Sequence, residues 1–269
     1  MQRLQRRVRY GFQEPHIAFE TIEEKLPDRS AIWRGQLFMF NEPKEKAWSA
    51  KKGLYLLAIV ALLELLIRPL FTTAAGEIRV QRADWYQSVS VLIFLIVGIL
   101  LTIKLAKVNL ADLGLAPWRN WSAIEKHFFI QTLIITIVIF SSMNLVTLKS
   151  IWLSVKLPQN AVLVFLSEMV WGFYQEFLYR GLLQSELVRR FGPVKGILVT
   201  NTIFTFGPLH FYHFSLAAKH PGHLWIFAGI FAIGLYFSIL YHRSGNLWTV
   251  GILHGLGDFF LVGLKRIYK

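Results

Sequence analysis

Long runs of apolar residues are the feature that most restricts what this chain can fold into. A helix needs roughly 20 residues to cross the hydrocarbon core of a bilayer, which is about 30 Å thick. Lipid offers no hydrogen bonds, so a spanning segment must satisfy its own backbone, which a helix does. The runs predict an all-α, polytopic transmembrane helix bundle of about seven spans, with eight as the alternative. They fall at 53–71, 87–106, 127–148, 160–186, 196–213, 224–242 and 246–264.

The composition supports a membrane protein. Of the 269 residues, 54% are hydrophobic and the mean hydropathy is +0.45, whereas soluble domains are usually about 45–50% apolar. The chain has no cysteine, which excludes disulfides, thiolate nucleophiles and cysteine-ligated zinc. The net charge of +13 is typical of cytoplasmic loops and of contacts with lipid headgroups. Membrane lipid is therefore an expected partner, and nucleic acid is not.

Charge also predicts the organisation and orientation of the chain. Residues 1–52 are polar and read as an N-terminal cytoplasmic segment without a cleaved signal peptide, and 53–269 as the transmembrane domain. With the N-terminus inside, the inner segments carry 19 Lys and Arg and the outer ones 8. The excess favours a cytoplasmic N-terminus. The basic residues after position 264 would then lie outside, which leaves a re-entrant or miscounted span as the alternative.

Three of the later apolar segments carry polar residues at a spacing of four. An ionisable group inside a membrane helix costs roughly 2.5–3.5 kcal/mol, so each needs a partner or a function. Residues four apart share one helix face, and polar faces in lipid must turn toward one another. We expect the three faces to converge, although each pair alone could be structural. The pairs are Glu176 with Arg180, Phe206 with His210, and His254 with Asp258.

Other polar residues have simpler interpretations. Glu64 and Arg68, also four apart, are expected to form a structural ion pair or to snorkel to the interface. The histidines at 213, 220 and 223 fall in a predicted loop and are expected to be solvated or interfacial. The chain has no His-Glu-x-x-His sequence, which excludes the commonest zinc-protease arrangement.

The motifs resemble those of a known family. QEFLYRGLLQ is similar to the first motif of the CPBP family, usually Glu-Glu-x-x-x-Arg, and FGPLH to the second, Phe-x-x-x-His. GNLWTVGILHGLGDF resembles the third, His-x-x-x-Asn or Asp. The family comprises intramembrane proteases, including type II CAAX prenyl endopeptidases and bacteriocin-processing or immunity (Abi-like) proteins. The resemblance covers about 160–264, the expected catalytic core.

The resemblance implies roles for individual residues. The first glutamate and first histidine of the family activate water, the second glutamate and the arginine support the site, and the last histidine and Asn or Asp stabilise the oxyanion. These positions are Gln175 and His210, then Glu176 and Arg180, then His254 and Asp258.

Gln175 departs from the family pattern, because an amide has no useful basicity. Three explanations are open: Glu176 takes over as the base, the protein is a pseudoprotease, or the sequence is an inactivated variant. In a further version His210 is the base and Gln175 positions the water.

The sequence is compatible with two main functions, and a transporter that uses the same polar faces is a third, less favoured one. The first is a glutamic-type intramembrane endopeptidase that cleaves a membrane-associated peptide or protein tail. The second is a catalytically silent relative that binds and regulates a membrane partner. A transporter would favour two related halves with discontinuous helices, and the sequence contains no such repeat. The resemblance implies that no cofactor is required. The alternative is a divalent metal such as zinc at Glu176, His210, His254 and Asp258.

Overall fold

The computed structural model describes residues 48–69, 83–153 and 161–267, and in these ranges the secondary structure is helical, without strands. The predicted boundary at residue 52 lies near the start of the first described range, and residues 1–47 lie outside the described ranges. The α-helices are α1 Ala50–Ala61, α2 Ala83–Leu101, α3 Ala123–Met143, α4 Leu145–Leu153, α5 Ala161–Glu176, α6 Ser185–Phe191, α7 Pro193–Phe206, α8 Phe211–Lys219, α9 Trp225–Ser244, α10 Leu247–Asp258 and α11 Leu264–Ile267. Segments of π-helix lie at Leu62–Ile67, Thr102–Ala106, Phe177–Gln184 and Phe259–Gly263, and 3₁₀ helices at Leu110–Leu113, Trp118–Asn120, Pro208–His210 and Pro221–Leu224.

Four helices of the described ranges are long and apolar enough to cross a membrane. They agree with four of the seven predicted spans, those at 87–106, 127–148, 160–186 and 224–242. Many of their large apolar side chains are exposed, as expected for helices that face lipid. The helices support an integral membrane protein. They are Val89–Ala106, Ala123–Met143, Ala161–Phe191 and Pro221–Ser244.

The count of seven spans is not confirmed, because the other three predicted segments form shorter or more polar helices. The helix at the first segment begins at Ala50 and carries Lys52, Glu64 and Arg68. The last forms an apolar helix of only 17 residues, Leu247–Gly263. The segment predicted at 196–213 is interrupted, since α7 ends at Phe206 and a 3₁₀ helix follows Gly207. Proline lacks a backbone N–H and disfavours a helical conformation in the residue before it, so Pro208 explains the break.

The most extensive helix contact lies between α5 and α10, and glycines allow it. Gly251 and Gly255 form a Gly-x-x-x-Gly pattern on α10, which brings helix backbones close together in membranes. A Cβ at Gly255 would lie 2.7 Å from the Met169 Cα, and one at Gly172 would overlap the backbone of Gly255. This close contact places His254 of α10 against the end of α5.

The first helix is attached to α6 through a buried carboxylate. Glu186 is fully buried and accepts hydrogen bonds from Trp48 Nε1 at 2.8 Å and from Arg189 Nη2 at 2.7 Å. Arg190 Nε pairs with the same carboxylate. A Cβ at Gly53 would overlap it, so α1 packs directly on this charged group.

A candidate active site between the helices

Glu176 lies at the centre of a buried polar cluster. Its Oε1 accepts a hydrogen bond from His254 Nδ1 at 2.6 Å, and its Oε2 is 3.2 Å from Arg180 Nε. The Glu176 and Arg180 side chains are both inaccessible to solvent. The pair sits where α5 changes from α- to π-helix, a distortion often found at functional sites. Motifs one and three of the sequence therefore meet at a single carboxylate.

Arg180 extends from this carboxylate toward α9. Its Nη2 donates to the Gly234 carbonyl at 2.8 Å, and its guanidinium carbon is 4.2 Å from the centre of the Phe204 ring. A Cβ at Gly234 would lie 3.2 Å from the Arg180 Nη2 and overlap Asn201 Oδ1. Glycine is thus needed at 234 for the guanidinium to approach the backbone. Arg180 connects α5, α7 and α9 through buried contacts.

His254 lies between two carboxylates. Its Nδ1 faces Glu176, and its Nε2 is 3.7 Å from Asp258 Oδ2. Its ring is stacked near Phe237, with centroids 5.1 Å apart. A carboxylate can only accept a hydrogen bond, so Nδ1 carries the proton and Nε2 of the neutral ring is an acceptor. The arrangement resembles the orientation of a catalytic histidine by a buried carboxylate.

His210 is held by the break in the chain and not by a helix. It ends the 3₁₀ helix Pro208–His210, so the predicted shared helix face of Phe206 and His210 is wrong. Its Nδ1 is 2.7 Å from the Phe204 carbonyl oxygen. Since a carbonyl only accepts, Nδ1 is the donor and Nε2 is again left as an acceptor.

One cavity of about 850 Å³ connects these residues. Gln175, His210, His254 and Asp258 all line it, in a wall that is mostly apolar. Glu176 does not line it and contacts His254 from behind. The structure therefore brings together five of the six predicted positions around His254 and the cavity, while Arg180 lies on the far side of Glu176.

A carboxylate and a third imidazole that sequence reasoning did not select also line the cavity. Glu168 is seven residues before Gln175 and therefore on the same face of α5, a spacing that could have revealed it. His213 was expected to be solvated but is buried at 6% exposure, and its Nδ1 is 2.9 Å from His223 Nε2. That expectation is wrong for His213, because α8 folds back to the cavity, and correct for His220, which is exposed.

The first helix also reaches this region, through the ion pair expected from the sequence. Arg68 Nη1 lies 2.8 Å from Glu64 Oε2, and Glu64 is 3% exposed. Glu64 also accepts from the Tyr174 hydroxyl at 2.8 Å and the Tyr179 hydroxyl at 3.1 Å. Arg68 Nη2 donates to the Leu209 carbonyl at 3.4 Å. The pair is structural, and it links α5 to the segment that carries His210.

The metal alternative has no matching geometry in the described residues. Across 48–69, 83–153 and 161–267, no group of three or more His, Cys, Asp or Glu is arranged to hold a metal ion. The reason is visible in the cluster, where the Glu176 carboxylate is already paired with His254 and Arg180.

Comparison with known proteins gives a family for the later part of the chain. No curated protein and no solved structure matches it. Residues 157–260 match the family described as type II CAAX prenyl endopeptidase Rce1-like. The matched range contains Gln175, Glu176, Arg180, His210, His254 and Asp258. This match supports the resemblance to the CPBP family that the three motifs predicted, and it covers residues 157–260.

Proposed function

We propose that this protein is an intramembrane endopeptidase that hydrolyses a peptide bond in a membrane-associated peptide or protein tail. One observation carries the proposal: an amide, imidazoles and carboxylates line a single cavity between apolar helices. Peptide hydrolysis needs a proton acceptor for water and donors for the oxyanion. Gln175, His210, His254 and Asp258 are side chains that can supply both.

The rest of the cavity supports an apolar substrate. Apart from the polar residues, its wall is built largely from side chains such as Ile230, Phe237 and Leu253. Pockets of about 300–1,000 Å³ hold small organic ligands and bury most of their surface, so about 850 Å³ can accept several apolar residues or a lipid-like group. A membrane-anchored tail fits this chemistry, with membrane lipid around the helices as the second partner.

The experiment is cleavage by the full-length protein in liposomes. Two fluorogenic peptides serve as probes: one ends in a farnesylated cysteine followed by three residues, and the other has the same sequence without the farnesyl group. The parent should cleave at least one, and His254→Ala should lower the rate by about 10²–10⁴, the usual contribution of a general acid or base. His127→Ala, at an exposed position outside the cavity, is the control and should leave it unchanged. A parent that cleaves neither probe would refute the proposal.

The proposed chemistry uses no metal. Prolonged dialysis against a chelator should leave the cleavage rate unchanged, and added Zn²⁺ should not raise it. A loss of activity that Zn²⁺ restores would instead support the metal alternative.

The second candidate is a silent relative that binds a membrane partner, and Gln175 is the observation that favours it. Its expected signature is saturable binding of a probe peptide without cleavage. The same liposome assay separates the two, because binding is measured by fluorescence anisotropy and turnover by the appearance of product.

A further inference from the structure

We propose that two roles have exchanged places in this protein, relative to those that the family resemblance implies. The oxyanion donor is the amide at 175, and the proton acceptor is the histidine beside the carboxylate at 258. Gln175 donates to the oxyanion, and His254, held between Glu176 and Asp258, accepts the proton of the attacking water. The inference rests on the proposed endopeptidase function, and it states that glutamine at 175 belongs to an active site.

The motif residues that line the cavity differ in the hydrogen-bond donors that they can offer to a substrate. His210 and His254 both use their Nδ1 proton for a contact with protein, to the Phe204 carbonyl and to Glu176. Each neutral ring therefore offers only an acceptor, Nε2, for further bonds. Gln175, which lines the same cavity and is 4% exposed, has an amide with two N–H donors at any pH. Its amide is thus well suited to bind a developing oxyanion.

His254 is better placed than His210 to become cationic. It has a carboxylate on each side, Glu176 at 2.6 Å from Nδ1 and Asp258 at 3.7 Å from Nε2. Negative charge on both sides stabilises the imidazolium that forms when Nε2 takes a proton. His210 is bonded instead to a neutral carbonyl.

Glu176 itself has a different role. It is fully buried, does not line the cavity, and has one oxygen near Arg180 and the other bonded to His254. It cannot take a proton from a water in the cavity without losing these contacts. Glu176 is therefore a positioning residue that fixes the tautomer and orientation of His254.

The proposed hydrolysis has two steps, addition of water and release of the amine. His254 Nε2 takes one proton from a water while the water oxygen bonds to the peptide carbonyl carbon, and the carbonyl π electrons move to oxygen. The resulting oxyanion is held by the Gln175 N–H groups. When the carbonyl re-forms, the C–N bond breaks and the leaving nitrogen takes the proton from His254. The products are a carboxylic acid, which ionises, and an amine.

The test reverses the exchange. In the liposome assay, Gln175→Glu should lower the single-turnover rate by about 10²–10³, the cost of one oxyanion donor, and isosteric Gln175→Met should do the same. Asp258→Asn should also lower it, because the imidazolium loses a carboxylate. The double variant Gln175→Glu with Asp258→Asn again has one carboxylate, now at 175, and one amide, now at 258, and should be at least about tenfold faster than Asp258→Asn.

The possible results separate this inference from the proposed function. If the parent is active and Gln175→Glu is faster, a base at position 175 accelerates the reaction. That result refutes the exchange of roles and leaves the proposed endopeptidase function intact. A double variant whose loss is the product of the two single losses also refutes the exchange. If the parent is silent, both proposals fail. Thermal unfolding confirms that each variant is folded, and Gln175→Met decides the role of the amide if a charged variant is not.

Discussion

The loss of Arg180 should strongly destabilise the protein. Arg180→Met removes a guanidinium that lies 3.2 Å from the Glu176 carboxylate and donates to the Gly234 carbonyl at 2.8 Å, and the Arg180 and Glu176 side chains are both at 0% exposure. Breaking a buried ion pair costs about 3–5 kcal/mol, since the remaining charge is uncompensated. For domains of about 150–250 residues, one kcal/mol shifts Tm by about 2–4 °C. The expected fall in Tm is therefore roughly 6–20 °C.

The assay is thermal unfolding of purified variants in one detergent, followed by intrinsic fluorescence and by size-exclusion chromatography. Adding Glu176→Gln to Arg180→Met removes the stranded carboxylate and should restore most of the lost stability, because replacing both partners of a buried pair is often nearly neutral. Arg119→Met, at an exposed arginine, is the matched control. An Arg180→Met protein with the parent's Tm, or a double variant less stable than the single one, would refute this account of the pair.

Three further predictions concern the packing, the first helix and the orientation. Gly255→Ala should lower Tm by several degrees, because its Cβ would lie 2.7 Å from the Met169 Cα, whereas Gly229→Ala, with open space around it, should not; equal effects would contradict the close contact of α5 and α10. Glu64→Ala should destabilise more than Glu64→Gln, since alanine leaves two tyrosine hydroxyls and Arg68 without their acceptor; indistinguishable melting curves would argue against the network. A reporter fused before Tyr10 should be protected from protease added to intact cells, as the excess of basic residues in the inner loops predicts, and its cleavage would reverse the orientation.

The amino-acid sequence was sufficient to predict the all-helical class of the fold, and it indicated most of the polar residues that the structure brings to the cavity. Four of the predicted spans agree with helices long enough to cross a membrane, because an apolar run of that length has few other stable structures. The spacing of Glu176 with Arg180 and of His254 with Asp258 gave two helix faces correctly, since the helical period is fixed by the backbone.

Periodicity did not reveal where a helix would be interrupted. The apolar run predicts one span over 196–213, yet α7 ends at Phe206 and His210 lies in a 3₁₀ helix. Gly207 and Pro208 were visible in the sequence, but proline occurs in membrane helices when neighbours satisfy the freed backbone groups. Whether such neighbours exist is a property of the packed bundle.

Only the tertiary structure decided what each polar face meets. A period of 3.6 residues tells which residues share a face but not which helix that face contacts, and the π-helical segment from Phe177 shifts the faces that follow it. The structure turns Glu176 away from the cavity and toward His254, while its neighbour Gln175 lines the cavity wall. It also brings Glu64, distant in sequence, to the tyrosines of α5 and its π-helical extension. The sequence supplied the chemical groups, and the close contact of α5 with α10, which depends on glycine at 172 and 255, determined which of them face the cavity together.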